Sequence, residues 1–233
     1  MKTNLDKFVE ELRDKLKNHK DYSEDEIIRF IYIALGKKIV FDVNWLFGND
    51  FTRSSIYYKE DTPELVDDFK HDEKWVLICK GIAYALSYVG TQLGINIETV
   101  QEQPNQWNPY PHVYNKVTKK DGSEYHIDLY GDLPNIHMNN RTVYFGFTEY
   151  IAPRVFNRKQ LEEMDHRIGY ISNTKPYTDD YHDLLKDWIS RIDSIHDKMR
   201  LILENPSPYM EFNLEYDERK KILLIFQLLF LTY

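Results

Sequence analysis

The spacing of apolar residues predicts two helices at the start of the chain. Residues 4–18 carry apolar side chains three or four positions apart with charges between them, which is typical of an amphipathic helix. A second pattern of this kind follows Ser23, and Glu26 stands three positions later, so the two residues form a capping box. We expect the helix that begins there to end near Gly36.

The middle of the chain predicts a mixture of strands and one long helix. Ile82, Leu86, Val89 and Leu93 lie on one helical face, and this helix should end at Gly94. Short apolar or alternating runs predict strands at 38–43, 95–100, 112–117, 125–130 and 142–146.

The last third of the chain is predicted to be helical, with helices at 157–168 and 178–203. It carries no obvious chemistry. We therefore expect an α+β protein with two parts. Residues 1–150 form the core with its N-terminal helices, and residues 151–233 form a helical C-terminal extension packed on that core.

The strands between residues 112 and 130 predict a β-hairpin whose register depends on its loop. A three-residue loop at 120–122, with its glycine left-handed, places His112 and Asp128 diagonally on one face and within side-chain reach. A two-residue loop at 121–122 shifts the register by one and places them on opposite faces. Any joint function of these two side chains therefore requires the longer loop.

Cys79 is the only cysteine of the chain, and it stands where the long helix is predicted to begin. Backbone N–H groups and the helix dipole stabilise a thiolate at such a position. Gly81 follows, and glycine inside a helix costs about 1 kcal/mol, which favours close approach of another backbone here. The alternative is that Cys79, which shares a face with Ile82 and Leu86, packs in the core as a small hydrophobe.

A thiol, an imidazole and a carboxylate thus follow one another on a helix and two strands, as in a cysteine nucleophile site. In this hypothesis His112 takes the thiol proton, or holds a thiolate–imidazolium pair, and Asp128 orients the imidazole. Cys79 attacks an amide or ester carbonyl, and water or an amine resolves the thioester. His126 is the rival base, because it lies two residues before Asp128 on the same strand.

The tetrahedral intermediate of such a reaction needs hydrogen-bond donors for its oxyanion. The backbone N–H of Cys79 is one candidate, and Asn44, Trp45 and Gln103 are candidate side-chain donors. An aromatic loop, residues 101–111, leads directly into the strand of His112. It forms one wall of a substrate cleft in one interpretation, and simply packs against the protein in the other.

Composition limits which partners and which cellular compartment are expected. The chain has 233 residues, 42% of them hydrophobic, and a net charge of −8, which argues against a nucleic-acid partner. The densest basic set, near residues 116–120, fits a solvated hairpin tip. A single cysteine forms no intramolecular disulfide, and the first residues lack a Sec signal. We expect a cytoplasmic protein, or one exported without a Sec signal peptide.

No membrane span, metal or cofactor is expected. The longest apolar run, residues 222–231, has about half the length that crosses a bilayer. It fits a buried C-terminal helix, and a homodimer or partner contact through the C-terminal helices stays open. The histidines lack zinc-ligand spacing, and the nine glycines are scattered singly, so no phosphate loop is present.

With these residues in place, the chain resembles the transglutaminase-like superfamily, a bacterial branch of papain-like thiol enzymes, over roughly residues 20–135. The resemblance rests on four motifs. The segment 30–42 matches a helix followed by a strand that ends in Phe-Asp, and the other three are Cys-x-Gly-x-Ala, His-x-x-Asn-x-Val and aromatic-x-x-Asp. They fall on Cys79, Gly81 and Ala83, on His112, Asn115 and Val117, and on Tyr125 and Asp128.

The resemblance implies a papain-like core with the thiol helix packed on an antiparallel sheet, and Cys79, His112 and Asp128 as nucleophile, base and orienter. Residues 157–233 have no counterpart in it. The leading expectation is a thiol-dependent amide hydrolase, of peptidase or glutamine deamidase type, acting on a protein or peptide. The alternatives are a transglutaminase or other acyltransferase, for example with acyl-CoA as donor, and an inactive protein-interaction module of the same fold.

Overall fold

Helices and two β-sheets make up the part of the chain that the computed structural model describes. That part comprises residues 2–41, 66, 70–71, 74–102, 112–137, 139, 141–142, 144–148 and 155–172. Its helices are α1 (Asn4–Leu16), α2 (Glu24–Gly36), α3 (Cys79–Gln92), α4 (Leu129–His137) and α5 (Arg158–Ile168). Its strands are β1 (Ile39–Phe41), β2 (Lys70–His71), β3 (Lys74–Leu77), β4 (Asn96–Glu102), β5 (His112–Thr118), β6 (Glu124–Ile127) and β7 (Phe145–Phe147).

The predicted capping box at the start of α2 is confirmed. The backbone N–H of Glu26 donates to Ser23 Oγ at 3.2 Å, and the N–H of Ser23 donates to Glu26 Oε2 at 2.6 Å. Thr3 and Asp6 form a second capping box at the start of α1. Two otherwise unsatisfied donors are thus paired at each helix start, which fixes where the two helices begin.

The strands form an antiparallel sheet in the order β4-β5-β6-β7 and a smaller mixed sheet in the order β1-β3-β2. The protein is therefore of the α+β class, as predicted. Strand β3 was not expected. A short apolar run such as Trp75-Val76-Leu77 does not distinguish a buried strand from a helix by its pattern.

The hairpin of β5 and β6 has the predicted register. The N–H of Lys119 donates to the carbonyl of Ser123 at 2.9 Å, and Gly122 is left-handed with φ 83°. The loop therefore has three residues, and Asn115 lies opposite Ile127. At the tip, Lys119 contacts Asp25 of α2 at 2.9 Å.

The predicted strand at 125–130 is corrected by the structure, because β6 ends at Ile127 and α4 begins at Leu129. Asp128 stands between the two elements, and its Oδ1 accepts the N–H of Gly131, the third helical residue, at 3.3 Å. This is the geometry of a helix N-cap. Tyr130, predicted to lie in the strand, is in the first turn of α4.

Helix α3 packs on the large sheet, and α2 and α5 lie together beside it. Gly90 of α3 allows a close approach to β4, since a Cβ there would lie 2.8 Å from Ile97 Cδ1. Arg29 of α2 is fully buried, and its Nε donates to Asp165 of α5 at 2.6 Å. This ion pair fixes α5, the helix predicted at 157–168, against α2.

Several sequence-based expectations lie outside the described residues. They are the helix at 178–203 and the apolar run at 222–231. No helix in the described part of the chain is long and apolar enough to cross a membrane.

Candidate active site

Cys79 is the first residue of α3 and is half-buried, so it is not a fully buried core residue. Strand β3 leads directly into it through Ile78, which is extended and serves as the N-cap. The side chain of Ile78 supplies no capping hydrogen bond. The N–H groups of the first turn of α3 are therefore not capped by a side chain of the N-cap residue, and such a helix start favours nearby negative charge.

Asn115 connects the strand of His112 to the helix of Cys79. Its Nδ2 donates to the carbonyl oxygen of Ala83 at 2.8 Å, and the residue is almost fully buried. Ala83 lies one helical turn after Cys79, and Asn115 lies three residues after His112. The bond thus fixes the relative position of the two elements that carry the thiol and the imidazole.

His112 and Asp128 form a buried pair. Nε2 of His112 lies 2.7 Å from Oδ2 of Asp128, and the two residues are 8% and 2% exposed. Cys79 is close enough to raise the pKa of His112 through hydrogen bonding and charge, so the thiol is adjacent to the imidazole. Since Asp128 occupies Nε2, the thiol contact falls to Nδ1. The structure thus brings together all three predicted site residues.

The pKa of His112 is raised from 6.5 to about 10. Burial lowers it, but the negative charge and hydrogen bond of Asp128, together with those of Cys79, outweigh this effect. The imidazole is therefore cationic throughout the neutral range. It can donate one N–H to the carboxylate and the other to the sulfur.

Asp128 is held by its backbone as well as by its side chain. The hydroxyl of Tyr32 lies 2.8 Å from its carbonyl oxygen, and its own N–H donates to Tyr144 at 2.9 Å. Tyr32 also contacts Oδ2 of Asp132 at 2.6 Å. Burial and the charge of Asp132 raise the pKa of Tyr32 well above its usual value, so the hydroxyl remains a donor.

Two tyrosine rings flank His112. The ring of Tyr114 stacks at 5.9 Å and that of Tyr130 lies at 5.5 Å, measured between centroids. They limit the orientation of the imidazole and its contact with water. The roles of these two rings were not predicted. The alternation of β5 was the available signal for Tyr114, because residues two apart on a strand share a face.

His126, the rival base, is engaged elsewhere. Its Nδ1 lies 3.1 Å from the carbonyl oxygen of Thr148, and its ring packs against Tyr114 and Phe147 at 5.5 Å from each. Asp128 pairs with His112 instead. The geometry therefore favours His112 as the partner of the thiol.

The remaining predicted groups lie outside the described residues. They are the candidate oxyanion donors Asn44, Trp45 and Gln103, and the aromatic loop from residue 103 to 111. Within the described ranges, no group of three or more His, Cys, Asp or Glu side chains is arranged to hold a metal ion.

Comparisons of the chain with family models, with curated proteins and with solved structures found no match. The geometry of Cys79, His112 and Asp128 is therefore the basis for assigning a function. These three residues are the first residue of α3, the first residue of β5 and the residue between β6 and α4.

Proposed function

We propose that this protein is a thiol-dependent amide hydrolase that acts on a protein or peptide through Cys79, His112 and Asp128. The observation that carries the proposal is the position of the His112 ring, which lies 2.7 Å from Asp128 and is close enough to Cys79 for the thiol to raise its pKa. A thiol at a helix N-terminus beside a cationic imidazole is the environment in which cysteine nucleophiles are activated.

The reaction begins from a Cys79 thiolate and a His112 imidazolium. The sulfur attacks the carbonyl carbon of the amide, and the carbonyl oxygen becomes an oxyanion that the backbone N–H of Cys79 can stabilise. When the C–N bond breaks, His112 gives its Nδ1 proton to the leaving amine and a thioester remains. Asp128 stabilises the imidazolium and keeps its Nδ1 side toward the sulfur.

Hydrolysis of the thioester reverses these roles. His112, now neutral, takes a proton from a water molecule as its oxygen attacks the thioester carbonyl. The second tetrahedral intermediate expels the Cys79 thiolate, releases the carboxylic acid and restores the imidazolium. We propose hydrolysis rather than amine transfer because water is available to any open thioester.

The proposal includes a transglutaminase-like family and a papain-like core. A thiol helix packed on an antiparallel sheet supports it, together with the motif residues Cys79, His112, Asn115 and Asp128. Asn115 has a structural role in this arrangement, since it bonds the helix of the nucleophile. The asparagine of the His-x-x-Asn-x-Val motif thus makes a contact that positions the site.

Thioester formation tests the proposal directly. The protein is mixed with p-nitrophenyl acetate and followed by intact-mass spectrometry. We expect one acetyl group on Cys79 that is lost by hydrolysis, no such group in Cys79→Ala, and much slower labelling in His112→Ala. The matched control is His126→Ala, which should label like wild type. Acetylation that does not depend on Cys79, or equal labelling of both histidine variants, would refute the proposal.

A further inference from the structure

A carboxylate that the proposed reaction does not use lies beside His112. Glu102, the last residue of β4, is directly opposite His112 in the β4–β5 register. Directly opposed residues of antiparallel strands share a face, with Cβ atoms about 5 Å apart. Glu102 therefore stands next to the imidazole, on the strand that borders β5.

One oxygen of Glu102 is buried without a partner. Its Oε2 is shielded from solvent and has no hydrogen bond with any described residue. Glu98, four residues earlier on the same strand, lies 3.9 Å from the ammonium of Lys116 instead. A buried carboxylate oxygen that lacks a donor costs free energy, and a cationic ligand that pairs with it would recover that cost.

The charge of Glu102 affects the pKa of Tyr114, a side chain of the site. Burial and then Glu102 raise the pKa of Tyr114, the tyrosine that stacks on His112. The carboxylate is therefore close to the ring that flanks the imidazole. A cationic group held by Glu102 would lie along this ring, next to the reacting centre.

We infer that Glu102 is a specificity-determining residue that binds a cationic group, an ammonium or guanidinium, on the substrate that acylates Cys79. The inference rests on the proposed function, since it assumes that acyl donors approach the thiol beside His112. The cationic group is expected on the acyl donor, because the other reactant in hydrolysis is water. A carboxylate and a cation that meet away from water form a strong charge-assisted hydrogen bond.

Two thiol reagents of equal length and opposite charge test the inference without a known substrate. Aminoethyl methanethiosulfonate, whose ammonium can donate hydrogen bonds, and sulfonatoethyl methanethiosulfonate each transfer their thioalkyl group to a thiolate and release methanesulfinate. The rate of each with Cys79 is measured at low ionic strength, and the ratio of cationic to anionic rates cancels any change in the intrinsic reactivity of the thiol.

We expect Glu102→Gln to lower this ratio about tenfold, since removal of one charge acts on the two reagents in opposite directions. The effect should shrink as salt is added. Glu102→Lys should lower the ratio further. Glu98→Gln is the matched control, because it removes the same charge from the same strand, and it should leave the ratio near that of wild type.

The possible failures are distinguishable. If Cys79 reacts no faster than an ordinary thiol, the proposed function fails. If Cys79 reacts rapidly with dependence on His112, but Glu102→Gln and Glu98→Gln change the ratio equally, the proposed function stands and the inference about Glu102 is wrong. An unchanged ratio in Glu102→Lys would overturn it as well.

Discussion

Asp128 contacts His112 with one carboxylate oxygen and caps helix α4 with the other. Oδ2 lies 2.7 Å from Nε2 of His112, and Oδ1 accepts the N–H of Gly131 at 3.3 Å. The helix thus fixes the carboxylate while the carboxylate fixes the imidazole. This double use explains why strand β6 ends one residue before Asp128, and it allows the two roles to be separated by mutation.

Asp128→Asn should retain the helix cap and lose the charge. Asparagine caps helices as well as aspartate, so the protein should remain folded. The pKa of His112 should fall well below about 10, because burial lowers it and the charge of Asp128 no longer offsets that effect. An NMR titration of the His112 imidazole measures this. Asp121→Asn, at the hairpin tip, is the control and should leave the value unchanged. A pKa that stays near 10 in Asp128→Asn would contradict the assignment.

The elevated pKa of His112 predicts that stability declines in alkali. Because the folded-state value exceeds the unfolded one, the contribution is complete below pH 6.5 and is lost as the pH rises toward 10. At about 1.4 kcal/mol per pKa unit, a shift from 6.5 to about 10 makes the loss on the order of 5 kcal/mol. Urea unfolding at several pH values measures it, and His112→Gln is the comparison. If the free energy of unfolding changed with pH in the same way in both proteins, the His112–Asp128 pair would be ruled out.

Tyr32→Phe should destabilise the protein and weaken the site. The change removes a buried hydroxyl that contacts the backbone of Asp128 and the carboxylate of Asp132. We expect a loss of about 1.5–3 kcal/mol in the free energy of unfolding and slower alkylation of Cys79. Tyr22→Phe removes an exposed hydrogen bond from the tyrosine hydroxyl to the carbonyl oxygen of Arg167. It should lower the free energy of unfolding by less than about 1 kcal/mol. Equal effects of the two changes would argue against a positioning role for Tyr32.

Gly90→Ala should destabilise the protein although alanine favours helices. A Cβ at this position would lie 2.8 Å from Cδ1 and 2.9 Å from Cγ1 of Ile97. Overpacking of this kind costs about 1–3 kcal/mol, which exceeds the gain of about 1 kcal/mol in helix propensity. Thermal unfolding measures the change, with the exposed neighbour Thr91→Ala as control. A more stable Gly90→Ala would show that α3 and β4 are not in close contact.

The hairpin register could be predicted because local chemistry determines it. A glycine that accepts a left-handed conformation at position 122 selects the three-residue loop, and the loop sets the pairing of β5 with β6, after which Asp128 contacts His112. Capping boxes are also local, so the start of α2 at Ser23 was predictable.

Helix α4 was missed because its start looked like the continuation of a strand. The signal was present, since Asp128 precedes Leu129, Leu133 and Ile136, an N-cap followed by helical spacing. The roles of Tyr32 and Glu102 were not predictable in the same way. They depend on contacts between segments far apart in the chain, which no local pattern encodes.

The rate at which iodoacetamide alkylates Cys79 at pH 6 tests the central claim most directly. Cys79 is the only thiol of the chain, so the label reports on this residue alone. If His112 and Asp128 activate it, wild type should react at least about tenfold faster than a simple thiol, and His112→Ala should react no faster than one. Labelling of wild type at the rate of an ordinary thiol, or labelling unaffected by His112→Ala, would contradict the account.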